Sequence, residues 1–287
     1  MLIRQALPLR RRPVDTEVAR WLEEQVRWLS VPRHGVAESS ANRRIADDIA
    51  LAFQSYGYRT THQGRFRNVL ALPEGPGPFT LVCAHYDTVP GTPGADDNAS
   101  AVAVMLGLAR QRPAQTAFVA FNREEDGMLG STDFVEWLAE PGGPSFSAIH
   151  VLEMVGYTDP RPGSQRVPYP IPRMLVPRDT GDFIAIVGIG AGWSLAGDVR
   201  RAAKGSMGVP PVLTLQAPLG LLGWAPDLGR SDHFPFIQAR LPAVMWTDTA
   251  EFRTPHYHRP TDTPQTLDVT FMAEVLELLR QTVDPTS

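Results

Sequence analysis

Apolar residues recur at helical intervals in three parts of the chain. In residues 15–29 they return every three or four positions, which predicts an amphipathic helix. A second helix is expected over residues 40–56, with Ser40 as its cap and Gly57 as its stop. Residues 271–283 repeat the pattern and predict a helix near the end of the sequence.

Short, nearly continuous apolar runs lie between these helices and are typical of buried strands. The four predicted strands are Asn68–Leu72, Phe79–Ala84, Ala117–Phe121 and Ile149–Leu152. Residues 99–109 are apolar on almost every side, so they predict a buried helix. Strands alternating with helices indicate an α/β fold, here a single three-layer α/β/α domain around a mixed, mostly parallel sheet.

The chain shows no linker that would separate a second core. We expect residues 1–13 to form a flexible N-terminal segment and residues 14–287 to form one catalytic domain. Two regions, near residues 158–178 and 203–230, are rich in Pro, Gly and other turn residues. Loops of this length are uncommon unless they have a function, so we expect them to form the rim of an active site. Surface excursions without function are the alternative.

Composition and charge exclude several classes of protein. The 287 residues are 43% hydrophobic, enough for one large core, and the net charge of −4 argues against a nucleic-acid-binding surface. Cys83 is the single cysteine, which rules out an internal disulfide. No run of 18 apolar residues predicts a membrane span, and no apolar core of a signal peptide follows Met1. The sequence therefore predicts a cytoplasmic protein.

Side chains of the kind that bind metals follow three of the predicted strands. His85 and Asp87 come directly after the second strand, Glu124 and Glu125 after the third, and Glu153 after the fourth. The acidic pair Asp96-Asp97 lies just before the buried helix. Groups at the carboxyl ends of parallel strands converge at one edge of a sheet, where so many carboxylates would repel one another without a cation. Mixed His and carboxylate ligands suit Zn²⁺, with Mn²⁺ or Co²⁺ as alternatives.

Each of these groups also has an ordinary explanation when taken alone. A His-x-Asp pair is often a hydrogen-bonded surface pair, the acids at 96 and 97 could cap a helix, and paired glutamates are common in solvated turns. Glu153 is harder to explain in this way, because a carboxylate within an apolar run needs a partner. Their joint occurrence favours a metal site. Spacing alone does not decide which member of each adjacent acidic pair is the ligand.

Six segments together resemble the two-zinc aminopeptidase family, which includes bacterial leucyl-type aminopeptidases, glutamate carboxypeptidases and glutaminyl cyclases. The resemblance extends in order from about residue 20 to the C-terminus. The segments that carry it are His85-Tyr86-Asp87, Gly94-Ala95-Asp96-Asp97-Asn98-Ala99-Ser100, Glu124-Glu125, Glu153-Met154-Val155-Gly156-Tyr157, Ser231-Asp232-His233 and Tyr257-His258.

The resemblance implies a zinc-exopeptidase fold that binds two zinc ions per chain. It assigns one ion to His85 and Glu153, the other to Glu125 and His258, and a bridging role to Asp97. It also implies a cis peptide bond after Asp97. In both acidic pairs the second member matches the ligand of the family.

The resemblance further implies catalytic roles for three residues. Glu124 would be the general base that takes a proton from water and delivers it to the leaving amine. Tyr257 would donate its hydroxyl to the developing oxyanion, with a plain pocket wall as the alternative. Asp87 would orient His85.

Two positions depart from the family pattern or compete with it. Better-known members carry Asp where this chain has Glu153, so one extra methylene must be accommodated at that ligand. His256 lies two residues before His258, and only the family's Tyr-His pattern selects His258. We expect His233 to lie near the site without binding metal, and we interpret the remaining histidines, His34, His62 and His150, as structural or exposed.

The function implied is that of a metal-dependent exopeptidase, foremost an aminopeptidase acting on a peptide or a small acyl amide. A carboxypeptidase or amidase is an alternative, and arginines at 161, 166, 173 and 178 could then recognise a substrate carboxylate. Glutaminyl cyclases bind a single zinc, but they typically have Trp before the last His and Asp at the position of Ser231, so Tyr257 and Ser231 favour a hydrolase. A non-catalytic binding module is the last alternative. Substrate preference and oligomeric state do not follow from the sequence.

Overall fold

A nine-stranded mixed sheet forms the centre of the molecule. The computed structural model describes residues 1–8 and 15–284. The strand order is β1-β8-β7-β9-β6-β4-β5-β3-β2. The strands are β1 (Leu2–Ala6), β2 (Arg59–Gln63), β3 (Asn68–Leu72), β4 (Phe79–His85), β5 (Thr116–Phe121), β6 (Phe146–Glu153), β7 (Ile184–Ile189), β8 (Val212–Ala217) and β9 (Ala243–Thr247).

The four strands at the middle of the sheet, β9, β6, β4 and β5, are parallel to one another. The pair β7–β8 is also parallel, whereas β1–β8, β7–β9, β3–β5 and β2–β3 are antiparallel. The parallel centre brings the carboxyl ends of β4, β5 and β6 to the same edge of the sheet.

In the described part of the chain, seven helices cover the two faces of the sheet. They are α1 (Thr16–Leu29), α2 (Ser39–Ser55), α3 (Ala101–Arg110), α4 (Leu129–Leu138), α5 (Trp193–Lys204), α6 (His233–Gln238) and α7 (Val269–Val283). On one face α1, α2, α3, α5 and α7 pack against side chains such as Val82 and Phe118. On the other face α4 and α6 pack against Leu81 and Val119. Neighbouring residues of a strand thus point into different layers, as the pleat of a strand requires.

The predicted elements within the first half of the chain are found close to their expected bounds. Helix α1 begins after Asp15, whose carboxylate accepts a hydrogen bond from the backbone N–H of Glu17. Helix α2 begins at Ser39, so Ser40 lies inside the helix instead of capping it. The apolar helix α3 is buried along almost its whole length between the sheet and helices α1 and α7. The three-layer α/β/α architecture expected from the sequence is confirmed.

Two expectations about irregular segments need correction. Leu2–Ala6 of the predicted flexible segment form β1, the edge strand, whose backbone pairs with Val212–Gln216 of β8. Residues 9–13 of that predicted segment lie outside the described residues. The predicted rim loop at 203–230 contains β8, whose short apolar run is flanked by prolines. Residues 203 and 204 belong to the end of α5, residues 218–230 contain two short 3₁₀ turns, and residues 158–178 contain one such turn.

Among the described residues, no helix combines the length and the apolar character that crossing a bilayer would require.

The close approach of Gly192 to strand β9 gives a testable constraint on the fold. A Cβ at Gly192 would lie 1.9 Å from the backbone oxygen of Ala243, whereas a Cβ at Gly205 would meet no atom within 4 Å. Gly192→Ala should therefore lower the free energy of unfolding by about 1–3 kcal/mol, the usual cost of overpacking. Gly205→Ala is the matched control and should leave it nearly unchanged. Urea denaturation of both variants measures this, and equal midpoints would contradict the packing described here.

Candidate metal centre

Three neighbouring strands bring candidate metal ligands to one edge of the sheet. His85 is the last residue of β4, Glu153 is the last residue of β6, and Glu125 lies in the turn after β5. Because β6, β4 and β5 are adjacent and parallel, their ends converge. His258 reaches the same place from the loop that follows β9.

Asp97 enters the site from an irregular turn, Ala95–Ser100, in which the peptide bond between Asp97 and Asn98 is cis. The side chain of Asn98 ties this turn to the end of β6, since it donates to the carbonyl of Leu152 and accepts from the N–H of Met154, at 3.1 and 2.9 Å. Asp262 holds the turn from the other side by accepting from the N–H groups of residues 96 and 97.

Two groups of ligand atoms meet at Asp97. In the first donor group, His85 Nε2 lies 3.3 Å from Asp97 Oδ1 and 3.4 Å from Glu153 Oε2. In the second donor group, His258 Nε2 lies 3.2 Å from Asp97 Oδ2 and 3.3 Å from Glu125 Oε2. Asp97 thus offers one oxygen to each group.

These spacings fit a small tetrahedral cation. Zinc bonds to N and O ligands are about 2.0–2.2 Å long, and neighbouring ligand atoms of such a tetrahedron are about 3.3–3.6 Å apart. Within the described part of the chain, both ring nitrogens of His85, Asp97 Oδ1 and Glu125 Oε1 are buried without a normal hydrogen-bond partner. Buried polar atoms are rarely left in this state unless an ion or a water satisfies them.

The electrostatics of the two groups also favour a cation. Burial opposes a charge on His85, yet Glu153, Asp87 and Asp97 raise its pKa well above the ordinary value. Burial likewise opposes protonation of His258, but hydrogen bonds to Asp97 and Glu125 raise its pKa to about 10. The carboxylates therefore draw protons onto both imidazoles. A bound metal ion would replace those protons and supply the missing positive charge.

Asp87 connects the two halves of the site. Its Oδ1 lies 3.5 Å from His85 Nδ1, on the side of the ring away from the first donor group. The same carboxylate accepts hydrogen bonds from the N–H groups of Glu124 and Glu125, at 3.2 and 3.3 Å. Asp87 thus holds the turn after β5 through two hydrogen bonds and lies beside the imidazole of His85.

Glu124 is half-buried and belongs to neither donor group. Burial raises its pKa well above the ordinary value, with Glu153 and Asp232 adding to the effect and His85 opposing it. Tyr257 packs its ring on that of His258, with ring centres 3.7 Å apart and planes 22° apart. Both side chains therefore border the site.

The other candidates from the sequence lie outside the two donor groups. Asp96 turns away and accepts from the N–H of Gly156, and His256 contacts Thr261. His233 is buried against the carbonyl of Leu228, at 2.8 Å. The three remaining histidines contact Asp126, Asp47 and Trp246 respectively: His34, His62 and His150.

Several residues that support the site were not singled out from the sequence. Arg33 is completely buried and donates to the carbonyls of Tyr86, Pro93 and Gly94 in the loop that leads to Asp97. Asp262, which secures the turn that carries Asp97, was not singled out either, whereas Ser231, a member of one of the resembling segments, donates to Glu153 Oε2 at 2.7 Å. No local sequence pattern predicts such contacts, because the partners are far apart in the sequence.

An apolar cavity of about 140 Å³ opens beside Glu153 and Tyr257. Both predicted rim regions contribute to its wall, the first through Val167 and the second through Leu228. Apolar residues of the sheet form a further part of the wall: Ile3, Ala185, Val187, Leu213, Leu215 and Met245.

Comparison with known proteins agrees with this geometry. Residues 68–175 and 221–283 match peptidase family M28, and these segments contain every member of both donor groups. The chain is 36% identical to the uncharacterized protein YfbL of Escherichia coli over an alignment of 284 residues. The alignment covers 89% of this chain and 84% of YfbL.

Solved structures share the fold. BSAP, a zinc aminopeptidase from Bacillus subtilis, superposes with a TM-score of 0.52 and is 26% identical, over 76% of this chain and 50% of BSAP. A glutaminyl cyclase from Porphyromonas gingivalis has a TM-score of 0.63 and 19% identity, over 96% of this chain and 99% of the cyclase. The match across both donor groups and the 36% identity to a relative of similar length lead to one conclusion: the chain belongs to peptidase family M28 and is a metal-dependent peptidase.

Proposed function

We propose that this protein is an aminopeptidase that binds two zinc ions and removes N-terminal residues from peptides. His85, Asp97 and Glu153 would hold one ion, and Asp97, Glu125 and His258 the other. The proposal depends chiefly on Asp97, whose two carboxylate oxygens belong to different donor groups. Asp97 Oδ1 lies 3.3 Å from His85 Nε2, and Asp97 Oδ2 lies 3.2 Å from His258 Nε2. The similarity to BSAP supports zinc as the metal.

When bound, a pair of divalent ions supplies Lewis acidity toward water and toward the scissile carbonyl. Side chains of the protein carry out the proton transfer and the positioning. Glu124, which stays outside both donor groups, takes a proton from the attacking water and passes it to the leaving amine. Burial raises the pKa of Glu124 and so makes it a stronger proton acceptor than an exposed carboxylate. Asp87 keeps His85 in place.

Tyr257 acts on the carbonyl oxygen of the substrate. Its hydroxyl donates a hydrogen bond to the substrate oxygen as negative charge develops there. The stacking on His258 holds the ring beside the second donor group. A donor held in advance contributes more than one that must be oriented during the reaction.

The rim arginines favour an aminopeptidase over a carboxypeptidase. A carboxypeptidase needs a free cation for the substrate carboxylate, but the candidates already have acceptors within the chain. Arg161 pairs with Asp159 and Arg178 with Asp182. Arg166 and Arg173 donate to the backbone carbonyls of Glu251 and Val176.

A single-zinc glutaminyl cyclase is the second candidate function, because a cyclase shares the fold over nearly its whole length. Two observations favour the peptidase. Both donor groups contain three potential ligands, and Tyr257 and Ser231 occupy positions where cyclases typically carry other residues.

The substrate prediction follows from the apolar lining of the cavity. With zinc present, aminoacyl p-nitroanilides of Leu, Met or Phe should be hydrolysed faster than those of Lys or Glu, because the cavity offers apolar walls to the side chain. N-acetylated versions of the same compounds are the control and should not react, since an aminopeptidase requires the free amine. Hydrolysis of the blocked compounds would instead support an amidase, and release of the C-terminal residue from N-acetylated peptides with a free carboxylate would support a carboxypeptidase.

The general-base assignment predicts separate effects on metal binding and turnover. Glu124→Gln should retain the metal content of the wild type and lower kcat by about 10²–10⁴-fold, because only the proton acceptor is lost. Glu140→Gln, an exposed residue of the same type, is the matched control and should be fully active. Wild-type turnover by Glu124→Gln would show that another group is the base.

The shared ligand predicts a pattern of metal contents. Elemental analysis of the wild type should give two zinc ions per chain, His85→Ala and His258→Ala should each retain fewer, and Asp97→Ala the fewest, since it serves both donor groups. Chelation should abolish hydrolysis and lower Tm, because a ligand that binds only the folded state stabilises it. One ion per wild-type chain, with cyclisation of N-terminal glutamine, would favour the cyclase.

A further inference from the structure

Arg230 lies at the border between the cavity and the metal centre. Its Nη2 is 3.3 Å from Tyr257 Oη, and its Nη1 contacts the carboxylates of Asp227 and Glu251. The next residue, Ser231, is buried and hydrogen-bonded to Glu153. The backbone of Arg230 is therefore anchored to the site, while its guanidinium is clamped between two acids.

The hydrogen bond between Arg230 and Tyr257 has only one possible direction. A guanidinium carries donors and no acceptor, so Arg230 must donate and the phenol oxygen must accept. The hydroxyl proton of Tyr257 is then free to point elsewhere. No side chain or carbonyl among the described residues accepts that proton, and the stacking on His258 fixes the plane of the ring.

We propose that Arg230 is a positioning residue that occupies the acceptor side of the Tyr257 hydroxyl and thereby directs its proton toward the substrate oxygen. The inference rests on the proposed function and deepens it. Asp227 and Glu251 serve the same end, because they hold the guanidinium beside Tyr257 and compensate its charge.

A direct contact between Arg230 and the substrate is the competing interpretation. Both Nη atoms of Arg230 already have acceptors within the chain, and two carboxylates surround its single charge. A substrate carboxylate would therefore meet little net attraction there. The two interpretations differ in which kinetic constant changes and in whether the effect depends on Tyr257.

The contact itself can be tested without activity. The chain has six tyrosines, so protein labelled with [ζ-¹³C]tyrosine gives a simple spectrum in which Tyr257→Phe identifies one resonance. In zinc-loaded protein, Arg230→Met should shift that resonance and leave the other five in place. Arg161→Met, which removes a rim arginine that is paired with Asp159 and close to Tyr157, is the control and should leave the Tyr257 resonance in place. An unmoved Tyr257 resonance in Arg230→Met would overturn the proposal.

The role is tested by a double-mutant cycle on an aminoacyl p-nitroanilide. Tyr257→Phe should lower kcat by about 10²–10³-fold, the usual effect of losing an oxyanion donor. Arg230→Met should lower kcat by about tenfold with KM nearly unchanged, because the donor remains but loses its direction. In the Tyr257→Phe background, Arg230→Met should have no further effect on kcat. Arg230→Lys, which keeps a cationic donor, should recover part of the loss.

Independent effects of the two substitutions on kcat would overturn the proposal, as would a rise in KM alone, which indicates substrate binding by Arg230. Thermal melting identifies any variant whose loss of activity comes from unfolding. If Arg230→Met is such a variant, Arg230→Lys replaces it in the double-mutant cycle. Failure of the proposed function has a different signature, since the wild type itself would not release p-nitroaniline while the resonance shift persisted.

Discussion

Electrostatic repulsion among buried carboxylates is the constraint on which the candidate centre depends. Glu124, Glu125 and Glu153 gather at the ends of adjacent parallel strands, and Asp97 joins them from the turn Ala95–Ser100. The dielectric there is low, so like charges interact strongly. Burial and Asp97 raise the pKa of Glu125 to about 7, which reflects the cost of one more negative charge. The two imidazoles offset part of this cost by taking up protons. Two divalent cations would offset far more, and the geometry of the donors is suited to them.

The surrounding structure holds this repulsive arrangement in place chiefly through the backbone. Arg33 donates to three carbonyls of the loop between β4 and Asp97 without forming a direct ion pair with a ligand. Asp262 and Asn98 secure the turn that carries Asp97. Truncating a buried group of this kind would leave several polar groups unpaired, so the loop and the ligand would be lost together.

The parts of the fold that the sequence predicts are those with a strong local pattern. Strands β3 to β6 are buried on both faces and appear as continuous apolar runs, and α1 has a clear helical period. Strand β2, with the polar sequence RTTHQ, has no such signal, and β8 is hidden among turn residues. The edge strand β1 owes its order to pairing with β8, about two hundred residues away, which no local pattern reveals.

The same distinction applies to the site. The convergence of His85, the glutamate pair and Glu153 follows from strand ends in a parallel sheet. The choice of Asp97 over Asp96 and of Glu125 over Glu124 came from family resemblance, because adjacent acids differ only in the direction that a turn gives them. Arg33 and Asp262 were not predicted, because they form hydrogen bonds with backbone groups that are distant in the sequence.

The two donor groups also differ in the moment at which they arise during translation. The first is complete once β6 has been synthesised, whereas the second waits for His258, which follows every strand of the sheet. A nascent chain on the ribosome therefore carries only the first donor group until every strand of the sheet has been synthesised. Both donor groups can exist together only after the loop that follows β9 has emerged.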